Sequence, residues 1–381
     1  MSFLLYPLVV VTLAVGVGLA VSRLGLAVLK VQRTLGATRL EQDEGTDVAV
    51  EVSSSMVLPW LYWEDRISGV MVEEACALDA VWPGAPRTLT YRFQPGRRGL
   101  YRVGPTVAEV TDPFGIFRRY VAVGGADFVT VLPRRVPLGV QLPAQSPVHE
   151  VPRRRSLFED PTRIAGVRAW RRGDGARRIH WRATARAGEL LSRVYEPAVL
   201  GGALIALETR EGLDFGATVA ASLAEHVLSG GRRVGLLANG RDAAEQWADF
   251  PDRAFRALDE VEAALKGRKV APAPYEVPVG RGVQQRELML SALARLEPDE
   301  AAPTLPALLM HQLPRLPRNL LLLVVTPVVD DELARTLGAM SRSGIETSIL
   351  WTGEGKLPAL RVPIRRVRNE DELARLGAGP L

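Results

Sequence analysis

The sequence predicts an α/β plus all-β chain: an apolar N-terminal span, a β-rich middle, and a doubly wound α/β region. Three observations carry this reading. Residues 3–21 are apolar or small apart from Tyr6 and Thr12. Residues 47–135 hold short runs in which polar and apolar side chains alternate, the period of a half-buried strand. Beyond residue 198, short continuous apolar runs alternate with helical periodicity, as in a parallel sheet flanked by helices. A chain of 381 residues, 47% of them hydrophobic, can build two cored domains and more.

The run from Phe3 to Val21 approaches the ~20 residues that cross a bilayer core. Arg23, Lys30, Arg33 and Arg39 follow it, and nothing basic precedes it except the amino terminus. By the positive-inside rule the rest of the chain is then cytoplasmic. Residues 1–33 are expected to form a single-pass anchor in the cell membrane, with the lipid bilayer as a partner and residues 24–29 as a possible extension. A cleaved signal peptide is the alternative, but its basic n-region is missing.

In the middle, Val48-Ala-Val-Glu-Val, Thr88-Leu-Thr-Tyr-Arg-Phe and Asp127-Phe-Val-Thr-Val-Leu alternate, and Trp82-Pro-Gly-Ala-Pro and Gln94-Pro-Gly mark turns between strands. Residues 47–136 are therefore expected to form a β-sandwich of immunoglobulin-like size. With Cys76 as the sole cysteine, the chain can form no internal disulfide and no cysteine-based zinc cluster. Two motifs stand out here, one carrying Arg98, Gly99, Tyr101, Gly104 and Pro105, the other Asp112, Pro113, Phe114 and Gly115. Phe114 and Phe117 are expected to plug the sandwich.

Residues 137–166 read as a proline-bearing linker with the cluster Arg153-Arg-Arg155. Residues 167–197 hold the densest signal: six arginines fall in the sixteen residues from Arg171 to Arg186, interleaved with Ile179 and Trp181. Gly173-Asp174-Gly175 reads as a turn, with Asp174 placed to cap a short helix and Gly188 to stop it. On that helix Arg178, Arg182 and Arg186 share one ridge, and Arg177, Trp181 and Ala185 share another. One reading is a salt-bridge network in which Asp174, Glu189 and Glu196 fix the motif as a mechanical joint between domains. The other leaves part of the ridge exposed for an acidic surface, because guanidinium forks pair bidentately with carboxylates; Arg171 and Arg172 belong to the same motif. His180 reads either as a hydrogen-bonded histidine under the helix or as part of a reactive site with Asp174.

In residues 198–381 the strands are expected at 203–207, 234–238, 319–325 and 345–351. A helix follows the first strand, with Phe215, Val219, Leu223 and Val227 recurring every four residues. Helical patterns lie around 253–265 and 285–296, Asp330 caps a later helix, and Asn369 opens a final short one.

The stretches Arg98-Gly-Leu-Tyr-Arg-Val-Gly-Pro, Asp112-Pro-Phe-Gly-Ile-Phe and Trp170-Arg-Arg-Gly-Asp-Gly-Ala-Arg-Arg-Ile-His-Trp together resemble the bacterial domain of unknown function 58 family. The resemblance implies a membrane-anchored start, a β-rich middle and a C-terminal von Willebrand factor A-like domain. It also implies a MoxR-type AAA+ ATPase as partner, since family members are often encoded beside one. One departure is that the family usually begins with two membrane-spanning helices. A von Willebrand A domain typically holds Mg²⁺ with an Asp-x-Ser-x-Ser loop, whereas Glu208-Thr-Arg-Glu-Gly212 stands at that place. The expectation is no metal, with Glu208, Thr209 and Asp330 as the only conceivable ligands.

No Walker A spacing occurs, no nucleophile motif accompanies a histidine, and the four histidines lack ligand spacing. With 48 basic and 43 acidic side chains, the net +5 is too small to signal nucleic acid by itself. The expected function is a membrane-anchored, non-enzymatic adaptor without cofactor, presenting its α/β domain to the AAA+ ATPase or its clients. The alternative is an anion-binding or hydrolase-like enzyme built on Asp174, His180 and the arginines.

Overall fold

The computed structural model describes residues 6, 9–13, 15–16, 24, 27–70, 72–111, 118–139, 159–171, 175, 178–197, 202–247, 252–266, 274–316, 320–355, 357–358 and 362–376. These fall into two compact units whose segments interleave along the chain. The first comprises Met1–Arg134, Arg241–Ala273 and Leu290–Glu297; the second comprises Arg135–Gly240, Pro274–Met289 and Pro298–Leu381.

The first unit is built from strands β1 (Leu29–Leu35), β2 (Arg39–Leu40), β3 (Thr46–Ser54), β4 (Leu58–Ile67), β5 (Cys76–Val81), β6 (Arg87–Phe93), β7 (Gly99–Thr111), β8 (Arg118–Val123) and β9 (Asp127–Val131). One sheet runs β1-β3-β6; in the other, β7 pairs with β4, β8 and β9, and β5 extends it beyond β4. Val48, Val50 and Val52 of β3 point inward at every second residue and are fully buried. They meet Leu61 and Trp63 of β4 and Val129 and Val131 of β9 in one core. The late strand Arg253–Phe255 pairs antiparallel with β8. The helix Leu258–Leu265 that follows buries Val261 against Val107, Ala122 and Phe255 on the outer face of the same sheet.

Across this core runs a polar network centred on Arg33. Its side chain is 1% exposed and ion-pairs with Asp65, itself fully buried. Arg33 Nε donates to Asp65 Oδ2 at 2.9 Å, and Nη1 reaches Asp127 Oδ2 at 3.2 Å. The Tyr91 hydroxyl donates to Asp65 at 2.6 Å and that of Thr106 at 2.8 Å. Burial alone would lower the Arg33 guanidinium, but its hydrogen bonds and attraction to Asp65, then Asp127, outweigh this and hold its pKa up. Burial first, then the charge of Asp65, pushes the Tyr91 phenol well above its ordinary range. Gly104 sits at φ +92°, and a Cβ there would lie 2.4 Å from Arg33 Nη2, so only glycine lets the guanidinium in.

Here the sequence expectation is corrected. Among the described residues no helix is long and apolar enough to cross a membrane. The anchor over 1–33, the transmembrane helix in the fold class and the single-pass membrane location are therefore not supported. Leu29–Leu35 is already a strand of the first unit, antiparallel to β3. The reason is visible in its alternation: Lys30, Gln32 and Thr34 point outward while Leu29 is buried. Arg33, read as a charge flanking the membrane, is the buried cation of the core. Most of the apolar run Phe3–Val21 lies outside the described residues, as do Asp112, Pro113, Phe114, Gly115 and Phe117.

The second unit contains a hairpin of β10 (Glu159–Ala169) and β11 (Leu191–Pro197) carrying the short helix α1 (Trp181–Ala187). It also contains a sheet built from β12 (Gly202–Leu207), β13 (Arg233–Ala238), β14 (Tyr275–Gly280), β15 (Leu320–Thr326), β16 (Glu346–Trp351) and β17 (Ile364–Arg366). The order is β14-β13-β12-β15-β16-β17, with only β14 antiparallel to its neighbour. The central strands β12 and β15 are buried at every position because helices cover both faces. Helix α2 (Leu213–Ser229) lies on one face, close enough that a Cβ on Gly216 would sit 3.0 Å from Leu207. On the other face, α3 (Leu305–Gln312) and α4 (Asp331–Arg342) pack Leu305, Leu308, Leu333 and Leu337 against Leu204 and Leu322.

Removing one partner of a buried ion pair strands the other charge, at a cost of about 3–5 kcal/mol. Asp65→Ala is therefore expected to lower unfolding free energy by that amount in urea titrations. Asp127→Ala, whose carboxylate is 48% exposed, should cost less than about 1 kcal/mol. Equal losses would refute the central role given to Asp65.

Candidate functional site

The arginine-rich stretch folds onto the β10–β11 hairpin. Trp170 N donates to Leu190 O and His180 N to Leu191 O, both at 2.8 Å, and Ile179 bridges Ser192. These bonds close the base of a loop from which α1 projects. Ile179 is buried at 8% exposure, so it is the residue that pins the loop. Gly188 ends the helix at φ +73° and donates its N–H to Thr184 O, as the sequence expected of a left-handed C-cap.

The N-terminus of α1 differs from expectation. The helix begins at Trp181, and its cap is His180, whose Nδ1 accepts from Ala183 N at 3.1 Å. Asp174 stands too far upstream to cap it; with Arg172, Gly173 and Arg177 it lies outside the described residues. Arg178 precedes the helix, half-buried, with its N–H donating to Gly175 O. The ridge of three arginines is thus reduced to Arg182 and Arg186 on one helical face. Thr184 Oγ1 accepts from Leu191 N at 3.0 Å and ties α1 to β11.

No residue of α1 is buried. Trp181 is 64% exposed, and Arg182, Ala185 and Arg186 are exposed beside it. Arg171, Gly188 and Glu189 are exposed as well. Neither Arg182 nor Arg186 makes an ion pair among the described residues. Helix α1 thus buries no side chain and presents a solvent-facing tryptophan at its start, with Arg182 and Arg186 also exposed. His180, with Nδ1 engaged by the helix, retains only Nε2 for any proton transfer.

The second motif has a structural use that sequence reading missed. Arg98 Nη1 donates to Leu293 O at 2.7 Å and Leu296 O at 2.9 Å, meeting the carbonyls at the C-terminal end of the helix Val283–Arg295. Arg102 Nη1 donates to Leu265 O at 3.2 Å, at the end of the helix Leu258–Leu265, and its guanidinium lies 4.3 Å from the Trp247 ring. Burial lowers the pKa of Arg102. Two cations, Arg98 just before β7 and Arg102 within it, thus sit where the negative ends of two helix dipoles lie. Tyr101 packs edge-on to Phe93 and donates its hydroxyl to Arg97 O, while Gly99 and Pro105 lie along β7.

At the end of β12, Glu208 Oε1 accepts from Asn239 Nδ2 at 2.7 Å and from the backbone N–H groups of Thr209 and Arg210 at 3.1 Å. Thr209 is buried and donates to Asn239 Oδ1. Asp330 caps α4 by accepting from Leu333 N at 2.7 Å. Glu208 Oε1 and Asp330 Oδ1 thus each accept from protein N–H groups, while Thr209 Oγ1 donates to Asn239 Oδ1. Among the described residues no group of three or more His, Cys, Asp or Glu is gathered to hold a metal.

No protein-family model matches the chain, and no curated protein matches it. Among solved structures it is similar to the solution structure of a CARDB domain from Pyrococcus furiosus, with 19% identity over 27% of this chain and 93% of that one, at a TM-score of 0.21. A crystal structure of the same domain in complex with di-metal ions gives 18% identity, 27% and 87% coverage and a TM-score of 0.21. A β-glucosidase from Listeria innocua in complex with glucose gives 13% identity over 27% of this chain and 16% of the enzyme, at 0.18. Likenesses this weak carry no argument about fold or function.

Loss of an N-cap acceptor costs about 0.5–2 kcal/mol of helix stability. His180→Ala is expected to speed amide hydrogen exchange at Ala183 and Thr184 by about tenfold while the protection of β12 and β15 stays unchanged. Unaltered exchange at Ala183 would remove the capping role.

Proposed function

We propose that the chain is a non-enzymatic adaptor that docks an acidic surface of a MoxR-type AAA+ ATPase through helix α1. The observation that carries this is the exposed Trp181 at the start of a helix that also exposes Arg182 and Arg186 and buries none of its residues. Tryptophan and arginine are the side chains that most often dominate protein interfaces, the first by its contact area and the second by its bidentate forks. The hairpin holds the backbone of the helix in place, so little backbone freedom remains to be lost on association. Resemblance of the 98–105 and 170–181 stretches to the domain of unknown function 58 family supports the choice of partner. The reading requires no metal, no nucleotide and no bilayer.

The enzyme alternative gains nothing from His180, whose Nδ1 is committed to the helix. Nucleic-acid binding is disfavoured because a net charge of +5 supplies few phosphate contacts beyond the local cluster.

Titration of the purified chain against a MoxR-type ATPase by interferometry tests the proposal. Trp181→Ala and the double variant Arg182→Glu/Arg186→Glu are each expected to weaken binding at least tenfold, with far-UV circular dichroism unchanged. The charge-reversal variant should also flatten the salt dependence of the association rate. Wild-type affinity in both variants would refute it.

A further inference from the structure

A cleft of about 280 Å³ opens in the second unit beside the edge of its sheet. Its walls are Leu204 of β12, Leu237 of β13, Val277 of β14, and Leu316 and Leu320. The cleft lies where β13 and β14, at the edge of the sheet, meet the C-terminal end of α3 and the residues that follow it. The volume falls just below the roughly 300 Å³ at which cavities begin to hold drug-sized ligands. An occupant must therefore be small, well short of a nucleotide.

Three polar side chains share the cleft. Gln312, the last residue of α3, is 6% exposed, yet its carboxamide makes no hydrogen bond among the described residues. The amide tip of this otherwise buried side chain stays accessible from the cleft, where a ligand or water can complete its bonding. Glu276 and Arg315 line the same cleft; both are exposed, and neither is ion-paired among the described residues. One carboxylate, one guanidinium and one donor–acceptor amide thus surround an apolar wall of leucine and valine.

We propose that this cleft binds a free apolar α-amino acid of about the size of leucine. The ligand carboxylate meets Arg315, its ammonium meets Glu276, its side chain lies on Leu204, Leu237 and Leu316, and Gln312 hydrogen-bonds to its polar end. A carboxylate and a guanidinium lining one cleft favour a zwitterion over a simple acid or amine, since either of those would leave one protein charge uncompensated. This site is independent of α1 and of the docking reading.

Calorimetric titration of the full chain with L-leucine tests it, using N-acetyl-L-leucine and L-leucinamide as probes lacking the ammonium or the carboxylate. Leucine should bind saturably with half-saturation at or below about 1 mM, and each blocked probe should bind at least tenfold more weakly. Glu276→Gln and Arg315→Ala, at exposed positions, should fold normally and lose binding by a similar factor. Gln312→Leu should weaken binding without lowering the melting temperature, because its amide bonds to no other protein group among the described residues; a lowered melting temperature would show that the amide serves the fold instead. No heat up to about 10 mM leucine, equal binding of the blocked probes, or unchanged binding in the variants would overturn the proposal.

Discussion

The first unit depends on one buried ion pair. Bringing Arg33 and Asp65 out of water costs several kcal/mol per charge, and attraction alone offsets this only if every remaining donor and acceptor finds a partner. The surrounding strands meet that condition. Asp65 of β4 accepts from Arg33 of β1, Tyr91 of β6 and Thr106 of β7, and Arg33 reaches Asp127 of β9. Five strands from both sheets converge on this pair, so their register is set by hydrogen-bond geometry as well as by apolar burial. Gly104 belongs to the same constraint, because any side chain there would occupy the space of the guanidinium.

A second use of arginine extends the unit beyond its contiguous sequence. Residues 241–273 and 290–297 return to the first unit from far along the chain. Two of their anchors are Arg98 and Arg102, each donating to carbonyls at the end of a helix from that returning part. The last carbonyls of a helix have no partner within it and carry the negative end of its dipole. A motif that stood out in the sequence for its glycines and proline thus owes much of its structural role to its two cations.

The arginine-rich stretch of the second unit behaves in the opposite way. Its apolar residue Ile179 and the backbone bonds of the hairpin hold α1 in place, and this leaves Trp181, Arg182 and Arg186 without a structural task in the helix they occupy. Among the described residues neither Arg182 nor Arg186 has an ion-pair partner. The acceptors around Glu208 are arranged differently, with amide donors filling the carboxylate oxygen that a cation would otherwise seek.

Some of this was legible from local pattern alone. Alternation at residues 48–52 and the continuous apolar runs at 203–207 and 320–326 determine strands, because side-chain direction along an extended backbone has a fixed period. Gly188 could be read as a helix stop because only a residue without Cβ adopts that conformation cheaply. The fate of Arg33 could not be read, since a cation after an apolar run looks the same whether it flanks a bilayer or enters a core thirty residues away from its counter-ion. Nor could the exchange of Asp174 for His180 as cap, the return of residues 241–273 to the first unit, or the unpartnered amide of Gln312. The sequence by itself determined the strands at 48–52, 203–207 and 320–325 and the helix stop at Gly188, because those follow from interactions a few residues apart. Which charges are buried, which are capped and which remain exposed was decided by tertiary structure, because each depends on partners that only the folded chain brings within hydrogen-bond distance.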